Sequence, residues 1–230
     1  MANPFKAPIW KKTDESIWLD NCRNHEELEL IYGRIYTVGE DYRYSYTNHE
    51  IKNLKISPSL KNTARYKYKK QAIKQFADDL GKMLETYVPI DYSLSLIPIP
   101  PSKTPEHDDY DDRMLQVAKI AAQQVPYVHY WPVLDCIKDR DSFHTSGTTR
   151  YPSTVYNCIA INEAIAPSYE SGEILCLLDD VLTSGANFSA CRRKILERFP
   201  NADVRGIFLA KAQEPGWEDG EYDNECDAEL

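Results

Sequence analysis
Two adjacent carboxylates, Asp179 and Asp180, close an unbroken apolar run, Ile174-Leu175-Cys176-Leu177-Leu178, and are soon followed by Thr183-Ser184-Gly185-Ala186-Asn187. A run apolar at every position reads as a strand buried on both faces. The turn after it opens a helix. It therefore offers free backbone N–H groups, two hydroxyls, a glycine that permits close approach and the positive end of a helix dipole, which together suit a phosphate monoester. The carboxylates suit the hydroxyls of a diol, or a metal ion carried by a phosphorylated ligand. A diol plus a phosphate describes a ribose 5-phosphate. Singly, each of these residues also serves as an ordinary strand end or helix cap; the whole string in this order carries the chemistry.

Such groups need a scaffold that brings strand ends and helix starts to one edge. From Ser93 to Arg205 the chain alternates strand-like and helix-like segments. The strands are expected at Ser93 to Pro100, His129 to Leu134, Cys158 to Ile161, Ile174 to Asp180 and Val204 to Ala210. Helices are expected at Arg113 to Gln124 and Asn187 to Phe199, each with one apolar side. This alternation predicts an α/β fold, a central and mostly parallel sheet flanked by helices. Ligands bind such sheets beyond the carboxyl ends of the strands, and the aspartate pair is expected there, facing ligand. Ahead of this region Ile73, Phe76, Leu80, Leu84 and Tyr87 form one helical stripe, and a further helix is placed at Glu26 to Gly33.

The string LLDDVLTSGAN resembles the phosphoribosyl-pyrophosphate (PRPP) motif of type I phosphoribosyltransferases: hydrophobics, two acids, a hydrophobic pair, Thr-Thr-Gly and a final Thr. Ser184 stands for the second Thr and keeps its hydroxyl; Asn187 stands for the last and still caps a helix. With the surrounding alternation the resemblance extends over roughly residues 52 to 212. Within the family it is nearest to ComF-like and amidophosphoribosyltransferase-like domains, through SLIPIPPSK at Ser95 to Lys103, although the Arg-Gly-Phe-Asn signature and the paired-cysteine zinc module of ComF proteins are absent.

The resemblance implies a type I phosphoribosyltransferase fold with a small N-terminal hood, Mg2+ as cofactor, and transfer of a phosphoribosyl group from PRPP to a nitrogen acceptor with release of pyrophosphate. It assigns catalytic roles to Asp179, Asp180, Lys103 and Arg113, the last two as cations on the pyrophosphate, and Mg2+ to Asp179 and Asp180, directly or through the ligand. PRPP or a nucleotide would be held by Thr183, Ser184, Gly185, Ala186, Asn187 and Ser102. A mobile loop over the site falls on Asp135 to Tyr156, with Lys138, Arg140 and Arg150 as its cations. The acidic stretch from Glu106 to Asp112 either swings clear of this site or helps to hold the metal.

The second reading is a non-catalytic nucleotide sensor, or a component of a nucleic-acid complex of the bacterial defence or DNA-uptake kind. It rests on residues 52 to 74, eight bases with no acid between Glu50 and Asp78. Cations bind phosphates, and the interleaved Tyr66 and Tyr68 can stack on bases. The nucleic-acid candidates are Lys67, Lys69, Lys70 and Lys74, expected to project from a helix into solvent.

At 230 residues the chain is long enough to bury a core without staples, and 42% hydrophobic against 27% charged residues describes a globular composition. No apolar run is long enough to span a membrane, and the six scattered cysteines form no C-x-x-C pair, so a cytoplasmic protein is expected. A homodimer is one assembly left open. Three segments are expected: an N-terminal extension at 1 to 50 that forms the hood, the α/β domain at 51 to 213, and an acidic, disordered tail at 214 to 230. The tail carries eight of the acids and no base, leaving the body near neutral out of a net charge of -9. Deleting residues 215 to 230 is accordingly expected to leave the melting temperature nearly unchanged; a large drop in a thermal melt would mean that Trp217 or Tyr222 docks on the body.

Overall fold
The computed structural model describes residues 7–13, 29–140, 152–170 and 172–216. The acidic tail beyond 216, Arg150, and most of the expected mobile loop lie outside them. Along the chain come β1 (Lys11–Lys12), β2 (Leu30–Tyr32), β3 (Ile35–Thr37), α1 (Tyr46–Leu54), α2 (Tyr66–Tyr87), β4 (Leu94–Pro98) and α3 (Arg113–Ala122). Then follow β5 (Val128–Tyr130), β6 (Leu134–Cys136), α4 (Pro152–Tyr156), β7 (Ile159–Ile161), β8 (Ile174–Leu182), α5 (Ala186–Arg198) and β9 (Asp203–Gln213).

The sheet runs β1-β2-β9-β8-β4-β5, with β3 beside the far end of β9. Every pairing within it is parallel except β1 with β2, so the α/β class and the mostly parallel sheet expected from the sequence are observed. Strand β8 is central because its apolar run buries both faces. Ile174, Cys176 and Leu178 join Ile51, Leu54, Phe76, Leu80, Leu84, Met114 and Val117 on the side of α1, α2 and α3. Leu175 and Leu177 join Phe188, Ile195, Val155, Ile159 and Phe208 on the side of α5 and α4.

From β4 the chain passes through α3 to β5 on one side, and β8 lies on the other side of β4. The winding direction therefore reverses between β4 and β8, which opens a crevice beyond their carboxyl ends.

Several sequence expectations change. The helix placed at Glu26 to Gly33 is, in its described part, strand β2. Leu30, Ile31 and Tyr32 take a parallel register on Gly206, Ile207 and Phe208, and burial between two layers decides for a sheet edge over helical propensity. The single strand expected at His129 to Leu134 is two. Pro132 cannot donate to a ladder, so β5 stays in the main sheet and β6 turns away to pair antiparallel with β7. The stripe of α2 ends at Leu84, leaving Tyr87 40% exposed in the last turn. A boundary at residue 50 falls inside α1, and β2 and β3 belong to the main sheet, so the described part of the extension is sheet edge and flanking helix rather than a separate hood.

Four cysteines, Cys136, Cys158, Cys176 and Cys191, are buried free thiols, and burial pushes those of Cys176 and Cys191 up to about 12. No helix among the described residues is long and apolar enough to cross a membrane.

Gly206 is where β9 meets both β2 and the α5 layer: a Cβ there would stand 2.6 Å from Leu30 Cδ2, 2.9 Å from Phe188 Cε2 and 3.0 Å from Phe208 Cε2. Gly206→Val is expected to destabilise the fold by about 2–3 kcal/mol, the usual cost of overpacking a filled core. The midpoint of urea unfolding measures it.

Candidate functional site
Strand β8 runs through the aspartate pair to Leu182, so the acids lie within the strand rather than at its end. Adjacent residues of a strand face opposite sides of a sheet. Asp180 falls on the α1, α2 and α3 side and is buried; Asp179 falls on the α5 side and is half-buried. They have different partners for that reason.

Asp180 holds two cations. Its Oδ2 accepts from Arg113 Nη2 at 2.6 Å and Arg113 Nε at 3.0 Å, and its Oδ1 lies 3.3 Å from Lys55 Nζ. Arg113 opens α3; Lys55 caps the carboxyl end of α1. Burial alone would raise the Asp180 pKa, but Lys55 and Arg113 together hold its carboxyl well below the usual carboxylate range. Arg113 is in turn raised above an ordinary guanidinium, since Asp180 and Asp111 outweigh its own desolvation. Asp179 moves the other way: burial first, and then the neighbouring Asp180 charge, push it up, against hydrogen bonds from the Asp180 N–H at 2.8 Å and Asn187 Nδ2 at 3.3 Å.

The turn after β8 bends through Thr183, Ser184 and Gly185. Gly185 has φ of 73°, the left-handed region that glycine enters without a Cβ penalty, and it precedes the first residue of α5. Thr183 and Ser184 are exposed, and Ser184 Oγ accepts from the Ala186 N–H at 3.4 Å. Together with Asp179 and Asn187 these residues line a shallow polar hollow. The proximal N–H groups of α5 point into it, as the first turn of any helix leaves them without intrahelical partners.

Across the crevice, the loop after β4 is clamped by the segment after β6. Arg140 N donates to Ser102 O at 2.9 Å, Arg140 Nη2 to Pro100 O at 2.9 Å and Pro101 O at 3.1 Å, and Thr104 N to Asp139 Oδ1 at 2.8 Å. Arg140 Nε and Nη1 are buried and have no partner. Lys103 lies in the same loop, half-buried, and helps to hold the Asp139 carboxyl below its ordinary value, behind the larger effect of the Thr104 N–H. Lys138 is exposed on the far side of that clamp.

The sequence-expected residues thus form two groups. Asp179, Thr183, Ser184, Gly185, Ala186 and Asn187 meet on one lip, and Ser102, Lys103 and Arg140 on the other. Arg113 differs from expectation: its guanidinium is spent on Asp180 and Asp111. The acidic stretch does not swing clear either, because Asp111 is bound by Arg113 and by Lys69. The surface position of Lys69 is overturned. Its side chain is fully buried, with its pKa lowered by burial against the opposing pull of Asp111. Lys67 and Lys70 remain exposed, while Lys74 pairs with Asp78 at 2.6 Å, which thins the basic face proposed for nucleic acid. Lys55 was missed as a site residue; the alternation of charge around the end of α1 gave no sign that it meets Asp180. Among the described residues no three histidine, cysteine, aspartate or glutamate side chains converge as a metal site.

No protein-family model matches the chain, and no curated protein matches it.

The opposite shifts of the two aspartates predict opposite mutants. A depressed carboxyl stabilises the fold above the unfolded value, about 3.9, and that stability is lost as pH falls through the lower folded value; a raised one penalises the fold above about 3.9, and the penalty fades in acid. Asp180→Asn strands Arg113 and Lys55 and is expected to cost about 2–3 kcal/mol near neutral pH, somewhat under the full cost of breaking a buried pair because both cations are partly exposed. Asp179→Asn is expected to stabilise the fold near neutral pH, with the gain vanishing below pH of about 4. Chemical denaturation of both variants across pH measures the two slopes.

Proposed function
We propose that the chain is a phosphoribosyltransferase of type I character, which binds PRPP or a ribose-5-phosphate nucleotide with Mg2+ in the crevice beyond β4 and β8. It transfers the phosphoribosyl group to a nitrogen acceptor and releases pyrophosphate. One observation carries the reading: a carboxylate, a hydroxyl-bearing turn with a left-handed glycine, and a helix start stand together on one lip of the sheet's reversal point, facing a loop held by an arginine with two unpartnered nitrogens.

In this reading the 183 to 187 turn anchors the 5-phosphate and Asp179 accepts from a ribose hydroxyl. Lys103 and Arg140 face the pyrophosphate, and Arg140 supplies the cation that Arg113 cannot. Mg2+ rests on the Asp179 carboxylate and chiefly on the ligand's own phosphates, the coordination this ion favours over a protein cage. The ion neutralises charge on the leaving pyrophosphate. The chain's own residues contribute positioning and electrostatic stabilisation of an oxocarbenium-like transition state, which needs no protein nucleophile.

A second reading, a nucleotide sensor without turnover, is favoured by Asp180, whose two oxygens are already occupied by Lys55 and Arg113.

Titration calorimetry with PRPP and Mg2+ is expected to give saturable binding, and a nucleobase panel is expected to give pyrophosphate release with at least one acceptor. Binding without release from any acceptor supports the sensor; absence of PRPP binding overturns both readings.

A further inference from the structure
Lys69 places a full charge inside the protein, and its geometry accounts for all of it. An ammonium has three donors and no acceptor. Those of Lys69 go to Leu54 O, Ile56 O and Asp111 Oδ2, each at 2.8 Å. The two carbonyls belong to the residues on either side of Lys55, so the ammonium fixes the backbone that carries the cation on Asp180 Oδ1. Asp111 faces the other way. Its Oδ2 also accepts from Arg113 Nη1 at 2.6 Å and its Oδ1 from the Arg113 backbone N–H at 3.2 Å, while the opposite edge of the same guanidinium holds Asp180 Oδ2. One buried group therefore stands behind both cations that meet on Asp180.

We infer that Lys69 is the positioning residue of the site: it sets where Lys55 and Arg113 stand, and through them how Asp180 is presented to the ribose hydroxyls of a phosphoribosyl ligand. The ligand half of this inference rests on the reading given above, and the arrangement of the cations does not. An apolar side chain at 69 would avoid the desolvation cost of a buried charge and pack α2 on α1 as well, so helix packing by itself does not call for a lysine. A brace that only held the helices together would also affect all ligands alike. A positioning group affects only what Asp180 touches, because the phosphate turn at 183 to 187 receives nothing from Lys69.

The test is Lys69→Met in the full chain, with ribose 5-phosphate and inorganic phosphate as separate probes, both with Mg2+, by titration calorimetry. The wild type is expected to bind ribose 5-phosphate more tightly than phosphate. The variant should lose about tenfold in ribose 5-phosphate affinity, the scale of one well-placed hydrogen bond, and keep its phosphate affinity. Loss of neither, or equal loss of both, overturns the inference. A wild type with no preference for ribose 5-phosphate counts against the phosphoribosyl reading instead. Lys69 is then judged without ligand, by solvent exchange of the Arg113 Nε–H in nitrogen-15 spectra: slow in the wild type and fast in the variant supports positioning, and an unchanged rate overturns it. Should Lys69→Met not fold, Asp111→Asn, which leaves Lys69 its two carbonyls, takes its place with the same expected outcomes.

Discussion
A carboxylate buried beside the central strand of a parallel sheet requires cations brought to it from elsewhere in the chain. Asp180 obtains two, from the end of α1 and the start of α3. Neither helix neighbours β8 in sequence, so the requirement ties three distant segments together. Lys69 on α2 adds a fourth through Asp111 and two backbone carbonyls. Unpaired buried charge is among the costliest errors a fold can contain. The α1, α2 and α3 layer is thereby held in one arrangement above β8, with less freedom than apolar packing alone would leave it.

The other face of the same strand is organised on different terms. Asp179 has no cation within bonding distance, only the N–H that follows it and the Asn187 amide. Burial and its charged neighbour press it toward protonation, which makes it the carboxyl that gains most from an arriving cation or hydroxyl. One step of the strand's alternation thus separates a structural acid from a receptive one. Stability near neutral pH is given up at Asp179, a common pattern where a binding site is held open.

The two lips of the crevice owe their meeting to strand order. Because the direction of winding reverses between β4 and β8, the loops leaving these strands part from one another and leave room between them. The clamp of Arg140 and Asp139 on residues 100 to 104 fixes one lip, and the left-handed Gly185 with the start of α5 fixes the other. Both are rigid backbone features, so the spacing of the crevice is set before any ligand arrives.

The sequence by itself determined the α/β class, the central place of β8, both faces of the helical stripe in α2 up to Leu84, and the turn from Thr183 to Asn187. These depend on periodicity, apolar runs and turn residues, all local in the chain. It did not determine that Leu30 to Tyr32 is a sheet edge, since that follows from pairing with β9 more than 170 residues away. Nor did it determine the partners of its charges. Lys69 and Lys70 are neighbours with identical side chains, yet one is sealed against Asp111 and the other is exposed. Arg113 looked like a ligand cation because nothing local shows that Asp180, 67 positions on, would claim it. Local pattern fixes which side of an element is apolar; only the packing of elements decides which charges are taken out of water, because the cost of burying a charge is repaid by partners that the chain brings near solely when it is folded.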